Sequence, residues 1–300
     1  MSSSGVLLLA HGTPETLDQM PEYLTLVRGG RPPSPELVEE MRRNYGAIGG
    51  RSPLTEVTRA QADALARALG DGTPVFVGMR NWRPFIADAL REALAAGVAE
   101  VVALPMAPQY STLSVAKYRA ATEAARPDGL VLRFVEPWHD HPGLLDAFAE
   151  KVKEALLRSP ADAVVFTAHS LPRRVIDAGD PYPDEVSATA RGVALRAGLD
   201  DFRLAWQSAG RTNEPWLGPT LEEELRTLAA VGARRVLVAP IGFVADHTEV
   251  LFDIDVQARE AARALGIRLQ RTASLNDSPR FIATLADLVR RARGPGAPAV

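Results

Sequence analysis

The chain has 300 residues, with 34 basic and 37 acidic side chains, a formal net charge of −3 and no cysteine. The missing cysteines exclude disulfides, thiolate metal sites, cysteine nucleophiles and an iron–sulfur cluster. The even charge balance, without a long basic stripe, argues against a nucleic-acid partner. The length fits one large domain or two of about 150 residues. No apolar run reaches the roughly 18 residues of a membrane span. The opening MSSSGVLLLAHGTPE has neither the basic region nor the cleavage-like site of a signal peptide. A cytoplasmic monomer is therefore expected.

In chain order, short apolar runs rich in β-branched residues predict strands at 6–9, 75–77, 101–104, 130–135, 164–167, 203–206, 236–239 and 268–271. Most are apolar throughout, as in parallel strands covered on both faces. Between them, helical patterns occupy 54–69, 84–96, 114–125, 142–158, 182–197, 220–231, 248–265 and 279–292. Alternation at this spacing predicts βαβ units and a mainly parallel sheet. The segment 23–53, rich in Gly, Pro and Arg, breaks the alternation and reads as a lid or binding loop. The tail 293–300 should fray.

The halves repeat. Ala10-His11-Gly12-Thr13-Pro14 follows the first predicted strand, and Ala168-His169-Ser170-Leu171-Pro172 follows the fifth. Gly97-Val98-Ala99-Glu100-Val101, leading to Pro105, matches Gly232-Ala233-Arg234-Arg235-Val236, leading to Pro240. Two similar Rossmann-like domains result, each a four-stranded parallel sheet flanked by helices. The first spans 1–145 and carries the insertion 23–53; the second spans 146–292.

Ligands of open α/β sheets sit beyond the carboxyl ends of the strands. That rule selects His11, then Arg80-Asn81-Trp82, then 105–111 in the first half. In the second it selects His169, Gln207-Ser208 and the stretch from Gly242 to Glu249. No G-x-G-x-x-G between strand and helix, no phosphate-binding G-x-x-x-x-G-K-[ST] and no G-x-S-x-G elbow occurs. A lone strand-end histidine reads as structural. Two in equivalent places favour function, as metal ligand or base. His139 and His141 read as turn and cap residues. Asp246 and Glu249 have the spacing of a capping box. Glu249 and Asp253 also share a helix face, which equally fits a carboxylate path for a divalent metal. Arg28, Arg31, Arg42, Arg43 and Arg51 crowd the insertion, where guanidinium forks would match carboxylates.

LLLAHGTPE, YGAIGGRSPL, PQYSTLSVAKY, TAHSLP, DPYPDE, WQSAGRTNEPWLGP and GFVADHTEVLFDID run in the same order as in the ferrochelatases, and the chain resembles that family over nearly its whole length. The resemblance implies the chelatase fold, with a porphyrin cleft between two Rossmann-like domains. It also implies insertion of Fe²⁺ as a substrate, with no permanently bound cofactor. It assigns His169 and Glu249 to catalysis and metal handling, as base and transient ligand in either order. It assigns porphyrin contact to His11, Arg28, Asn44, Tyr45, Ser52 and Tyr118, with His11 as a candidate axial ligand. Asn44 stands where the family often has Arg. Gln257 replaces a Glu found in some members, which weakens the case for a second metal site. The Arg-rich insertion favours coproporphyrin III, with four propionates, over protoporphyrin IX. The rivals are a haem or tetrapyrrole carrier and a sirohydrochlorin-type chelatase, the latter expected to have a domain of about half this length.

Overall fold

The computed structural model describes residues 3–210 and 212–294. All eight predicted strands form: β1 (Ser3–Ala10), β2 (Val75–Met79), β3 (Val98–Pro105), β4 (Val131–Phe134), β5 (Ala163–His169), β6 (Arg203–Gln207), β7 (Arg235–Ala239) and β8 (Arg268–Arg271). They make two parallel four-stranded sheets, ordered β2-β1-β3-β4 and β6-β5-β7-β8. The shared order places the first strand of each half second in its sheet, as the internal repeat requires. The register sets Val6 opposite Val75 and Val102, and Val165 opposite Arg203 and Val238. Both central strands are buried at nearly every residue, which is why they read as unbroken apolar runs.

A second signature of the repeat follows the second strand of each half. The Met79 N–H donates to Pro84 O at 2.7 Å, and the Trp206 N–H donates to Pro219 O at 2.9 Å. Each return is closed by a parallel bridge, Met79 to Phe85 and Trp206 to Thr220.

The helices are α1 (Met20–Val27), α2 (Pro35–Ala47), α3 (Leu54–Leu69), α4 (Ile86–Ala95), α5 (Val115–Ala124), α6 (Pro142–Arg158), α7 (Arg173–Asp177), α8 (Tyr182–Ala197), α9 (Leu221–Ala230), α10 (Thr248–Leu251), α11 (Arg259–Ala264) and α12 (Pro279–Arg293). Their ends are written locally. α6 starts at Pro142 with the His141 imidazole accepting from Gly143 N–H, a cap and turn role as expected. α9 opens with a reciprocal box between Thr220 and Glu223.

The chain separates into two compact units. Among the described residues, unit 1 holds 3–108, 113–138 and 276–294; unit 2 holds 109–112, 139–210 and 212–275. This differs from a simple division at 145. The last helix, α12, belongs to unit 1, where Phe281 is fully buried and stacks on Trp138 with ring centroids 6.1 Å apart. Arg293 donates to Asp71 and Thr73 of the same unit. Of the tail expected to fray, Arg293 is helical, and residues 295–300 lie outside the described residues.

The insertion 23–53 is mostly helical rather than a loop. α1 and α2 contribute Met20, Tyr23, Leu24, Val38 and Tyr45 to a small core completed by Trp82. Gly29, Gly30 and the Pro32-Pro33 pair form only the link. Ser34 then caps α2 by accepting from Leu37 N–H. The single helix expected over 248–265 is three pieces, α10, a π-helical turn at Asp253–Ala258, and α11.

Candidate active site

His169 ends β5, and Glu249 lies in the first turn of α10. Gly242 lets the chain pass this strand end. A Cβ there would fall 2.7 Å from the Ala168 Cβ, so only glycine permits the approach. The His169 Nδ1 faces the carbonyl oxygen of Ser170, which fixes Nδ1 as a donor and leaves Nε2 as the working nitrogen. That Nε2 lies 3.4 Å from Glu249 Oε1. The other carboxylate oxygen, Oε2, lies 3.6 Å from Nε2 of His247, whose Nδ1 donates to Ala245 O at 3.0 Å. Glu249 is thus shared by two imidazoles. The side chains of His169 and Glu249 remain 31% and 40% exposed, so the pair is open on one side.

The capping-box reading of Glu249 is not realised. The residue preceding α10 is His247, with no side-chain cap bond, and Asp246 instead accepts from Ser274 Oγ at 2.7 Å and pairs with Arg271 at 3.3 Å. The carboxylate of Glu249 is left to the histidines.

Two further groups hold the segment. Gln207, at the end of β6, donates through Nε2 to the backbone oxygen of Glu249 at 2.7 Å. Ser208 donates to Asp253 from a left-handed backbone, with φ of +60°. Such a conformation is unfavourable for a non-glycine residue and concentrates at functional sites. π-turns are also frequent at such sites, and Asp253 begins one here.

The electrostatics follow from this crowding. Burial opposes the charged imidazole of His169, but the negative charge of Glu249 and its hydrogen bond prevail and raise the pKa to about 9. Burial opposes the Glu249 carboxylate too, yet His169 and then His247 hold it well below the usual carboxylate range. Asp253 is pushed up to about 7, first by burial and then by the charge of Glu249. Tyr182, buried and close to the same carboxylate, is also raised. One imidazolium, one firmly ionised carboxylate and one carboxyl group poised near neutrality therefore gather beyond the strand ends of the second sheet.

In unit 1, Gly12 follows β1 with φ of +86°, and a Cβ there would lie 2.8 Å from the backbone nitrogen of Trp82. This close turn brings His11 to Asn81. The His11 Nδ1 donates to Gly12 O at 3.1 Å, and Nε2 accepts from the Asn81 amide at 2.9 Å. The Tyr23 hydroxyl lies 3.4 Å from Nδ1. Tyr45 is buried and meets Thr13 by hydroxyl contact at 2.9 Å. Ser52 lines an open cavity of about 250 Å³ with Thr13, Arg51 and Arg59. Arg28 is exposed at the end of α1, and Asn44 is half-buried on α2. Tyr118 is buried in a separate core cluster with Leu90 and Leu130.

Ser208, Gln207 and His247 fall within stretches that the strand-end rule selects, though nothing in their residue types singled them out. Tyr182 lies in the DPYPDE stretch that carries the resemblance, which assigns it no role.

Two repeated parallel sheets with the candidate groups at their strand ends define a two-unit chelatase fold. Solved structures agree on the fold. SirB from Bacillus subtilis with Fe³⁺ superposes with a TM-score of 0.61 at 11% identity, covering 97% of this chain and 96% of that one. CbiX gives 0.56 at 15% identity, covering 96% and 99%. SirB aligns over almost its whole length, so chain length does not separate this protein from that chelatase, contrary to expectation.

The ferrochelatase model matches residues 3–293, and the chain belongs to the ferrochelatase family. A ferrochelatase of Deinococcus radiodurans is 46% identical over 96% of this chain and 95% of its own length. A ferrochelatase of Thermus thermophilus is 42% identical, over 96% and 98%. A coproporphyrin III ferrochelatase of a Geobacillus species is 38% identical, over 95% and 96%. No helix among the described residues is long and apolar enough to cross a membrane.

Proposed function

We propose that this ferrochelatase inserts Fe²⁺ into coproporphyrin III, with His169 and Glu249 handling metal and protons. The carrying observation is the His169 Nε2 to Glu249 Oε1 approach of 3.4 Å at the end of β5. Insertion removes two pyrrole protons and strips water from the ion. An imidazole nitrogen and a carboxylate oxygen supply both the proton acceptor and transient donors for a divalent first-row metal. The charge of Glu249 favours an approaching cation. Metal binding displaces the proton from His169 Nε2, the nitrogen not committed to the Ser170 carbonyl. Asp253, pushed up to about 7, is suited to pass protons on near neutral pH. The metal is a substrate, and the chemistry asks for no resident cofactor.

The choice of a four-propionate ring rests on two supports. Some relatives bear the coproporphyrin III name. Arg28, Arg31 and Arg43 of the insertion are exposed, and among the described residues no carboxylate pairs with them. Ring contact by Tyr45, Ser52, Tyr118 and Asn44 belongs to the same proposal. Ligation of product iron by His11 would require the Asn81 amide to give way, because it already occupies Nε2.

The test is anaerobic insertion of Fe²⁺ into coproporphyrin III and, separately, protoporphyrin IX. Turnover of the first is expected to dominate, with His169→Ala lowering it by about 10²-fold or more. Turnover of protoporphyrin IX alone would overturn the substrate choice. Haem binding without any insertion would favour a carrier.

A further inference from the structure

Arg80 follows β2 at the carboxyl edge of the first sheet, and the reading above gives it no role. Its backbone N–H donates to Ala10 O at 2.9 Å, and the next residue, Asn81, makes the contact with His11. Its guanidinium carbon lies 5.6 Å from the centroid of the Tyr118 ring. Its Nε is buried without an acceptor, and among the described residues no carboxylate pairs with it. Arg83, Arg119 and Arg133 of the same unit are matched, with Glu22, Glu136 and Glu100, whereas the unmatched Arg28, Arg31 and Arg43 are exposed rather than half-buried.

A half-buried cation without a counter-charge is unfavourable unless something supplies one. The aromatic face of Tyr118 compensates only in part. The buried Nε also lacks the hydrogen bond that an anion would give it. The position is the one where ligands of parallel sheets collect. We propose that Arg80 binds a carboxylate side chain of the tetrapyrrole, which supplies the missing counter-charge. This inference rests on the porphyrin reading above and extends it to a residue outside the expected contact set.

The experiment measures binding of metal-free coproporphyrin III and of its neutral tetramethyl ester by fluorescence quenching. Wild type, Arg80→Met, Arg80→Gln and Arg80→Lys are compared at one ionic strength. Both neutral variants should weaken binding of the acid by about tenfold, as expected for a lost charge-assisted bond. They should leave ester binding unchanged, and lysine should recover part of the loss. Equal weakening of acid and ester would overturn the proposal by reducing Arg80 to a support for Tyr118. Unchanged binding of the acid in a folded variant would also overturn it. Wild-type protein that binds neither ligand would instead overturn the porphyrin reading, and this inference with it.

Discussion

His169 and Glu249 set each other's charge. Burial alone would lower the imidazole pKa beneath its ordinary 6.5; the charge and hydrogen bond of Glu249, joined by the Ser170 carbonyl and the charge of Asp253, outweigh it and bring it to about 9. The sign of a substitution follows. Glu249→Gln removes the largest raising charge and keeps the burial, so His169 should titrate below its wild-type value, as read from imidazole carbon shifts in NMR. Titration that stayed near 9 would mean that another group charges the ring. In the wild type a protonated Nε2 must be vacated before it can donate to a metal. The efficiency with respect to metal should therefore climb with pH towards about 9, and this limb should move to lower pH in the Gln variant, in initial-rate profiles. The histidine was legible because it ends an apolar strand and has a partner in the repeat. The glutamate was ambiguous, because spacing from Asp246 fits a cap as well as a site. Arg271 and Ser274, both remote in sequence, draw Asp246 towards β8 and the stretch that follows it.

Arg271 acts at the scale of an element. From the end of β8 it reaches Asp246 at 3.3 Å and Asp255 at 2.8 Å, just before α10 and within the π-turn respectively. The segment carrying His247, Glu249 and Asp253 is thus fastened near both ends by one guanidinium, itself only 12% exposed. Gln207 and Ser208 fasten its middle from β6. Removing one partner of such a buried network costs about 3 kcal/mol. Arg271→Met should lose roughly that much in urea unfolding, and Arg271→Lys, which keeps the charge but not the fork, should lose less. An unchanged unfolding midpoint in the methionine variant would refute the fastening role. The break of 248–265 into α, π and α pieces was not legible in the sequence. Hydrophobic periodicity does not register one extra residue in a turn, since Val250, Ile254, Ala258 and Ala262 remain buried at an unbroken spacing of four.

At the scale of the whole molecule, chain order and structural unit part company at the last helix. α12 completes unit 1 through Phe281 on Trp138, Arg290 on the Ala68 carbonyl and Arg293 on Asp71. Phe281→Ala should cost about 3–5 kcal/mol. Hydrogen exchange should then report the opening in β1 and β3 peptides before those of β5 and β7. Simultaneous opening of both sets would show that the units unfold as one. The sheets were readable because parallel strands covered on both faces are apolar throughout, and because the chain states the pattern twice. The destination of α12 was not readable, since its amphipathic face specifies that it must be covered but not by which half. The helices of the insertion were missed for a local reason. Gly29, Gly30, Pro32 and Pro33 fall in the seven-residue link between α1 and α2, while Pro35 and Gly46 are accommodated within α2 itself.

The doubled strand order gives the two strand-end histidines an equivalent position and a divergent chemistry. In the first copy the imidazole Nε2 receives an N–H from Asn81. In the second it confronts Glu249, which makes the same nitrogen carry a proton. A single neighbouring side chain therefore converts one strand-end ring from lone-pair holder to proton holder. Duplicated scaffolds of this kind can acquire an acid–base function by exchanging the neighbour rather than the histidine.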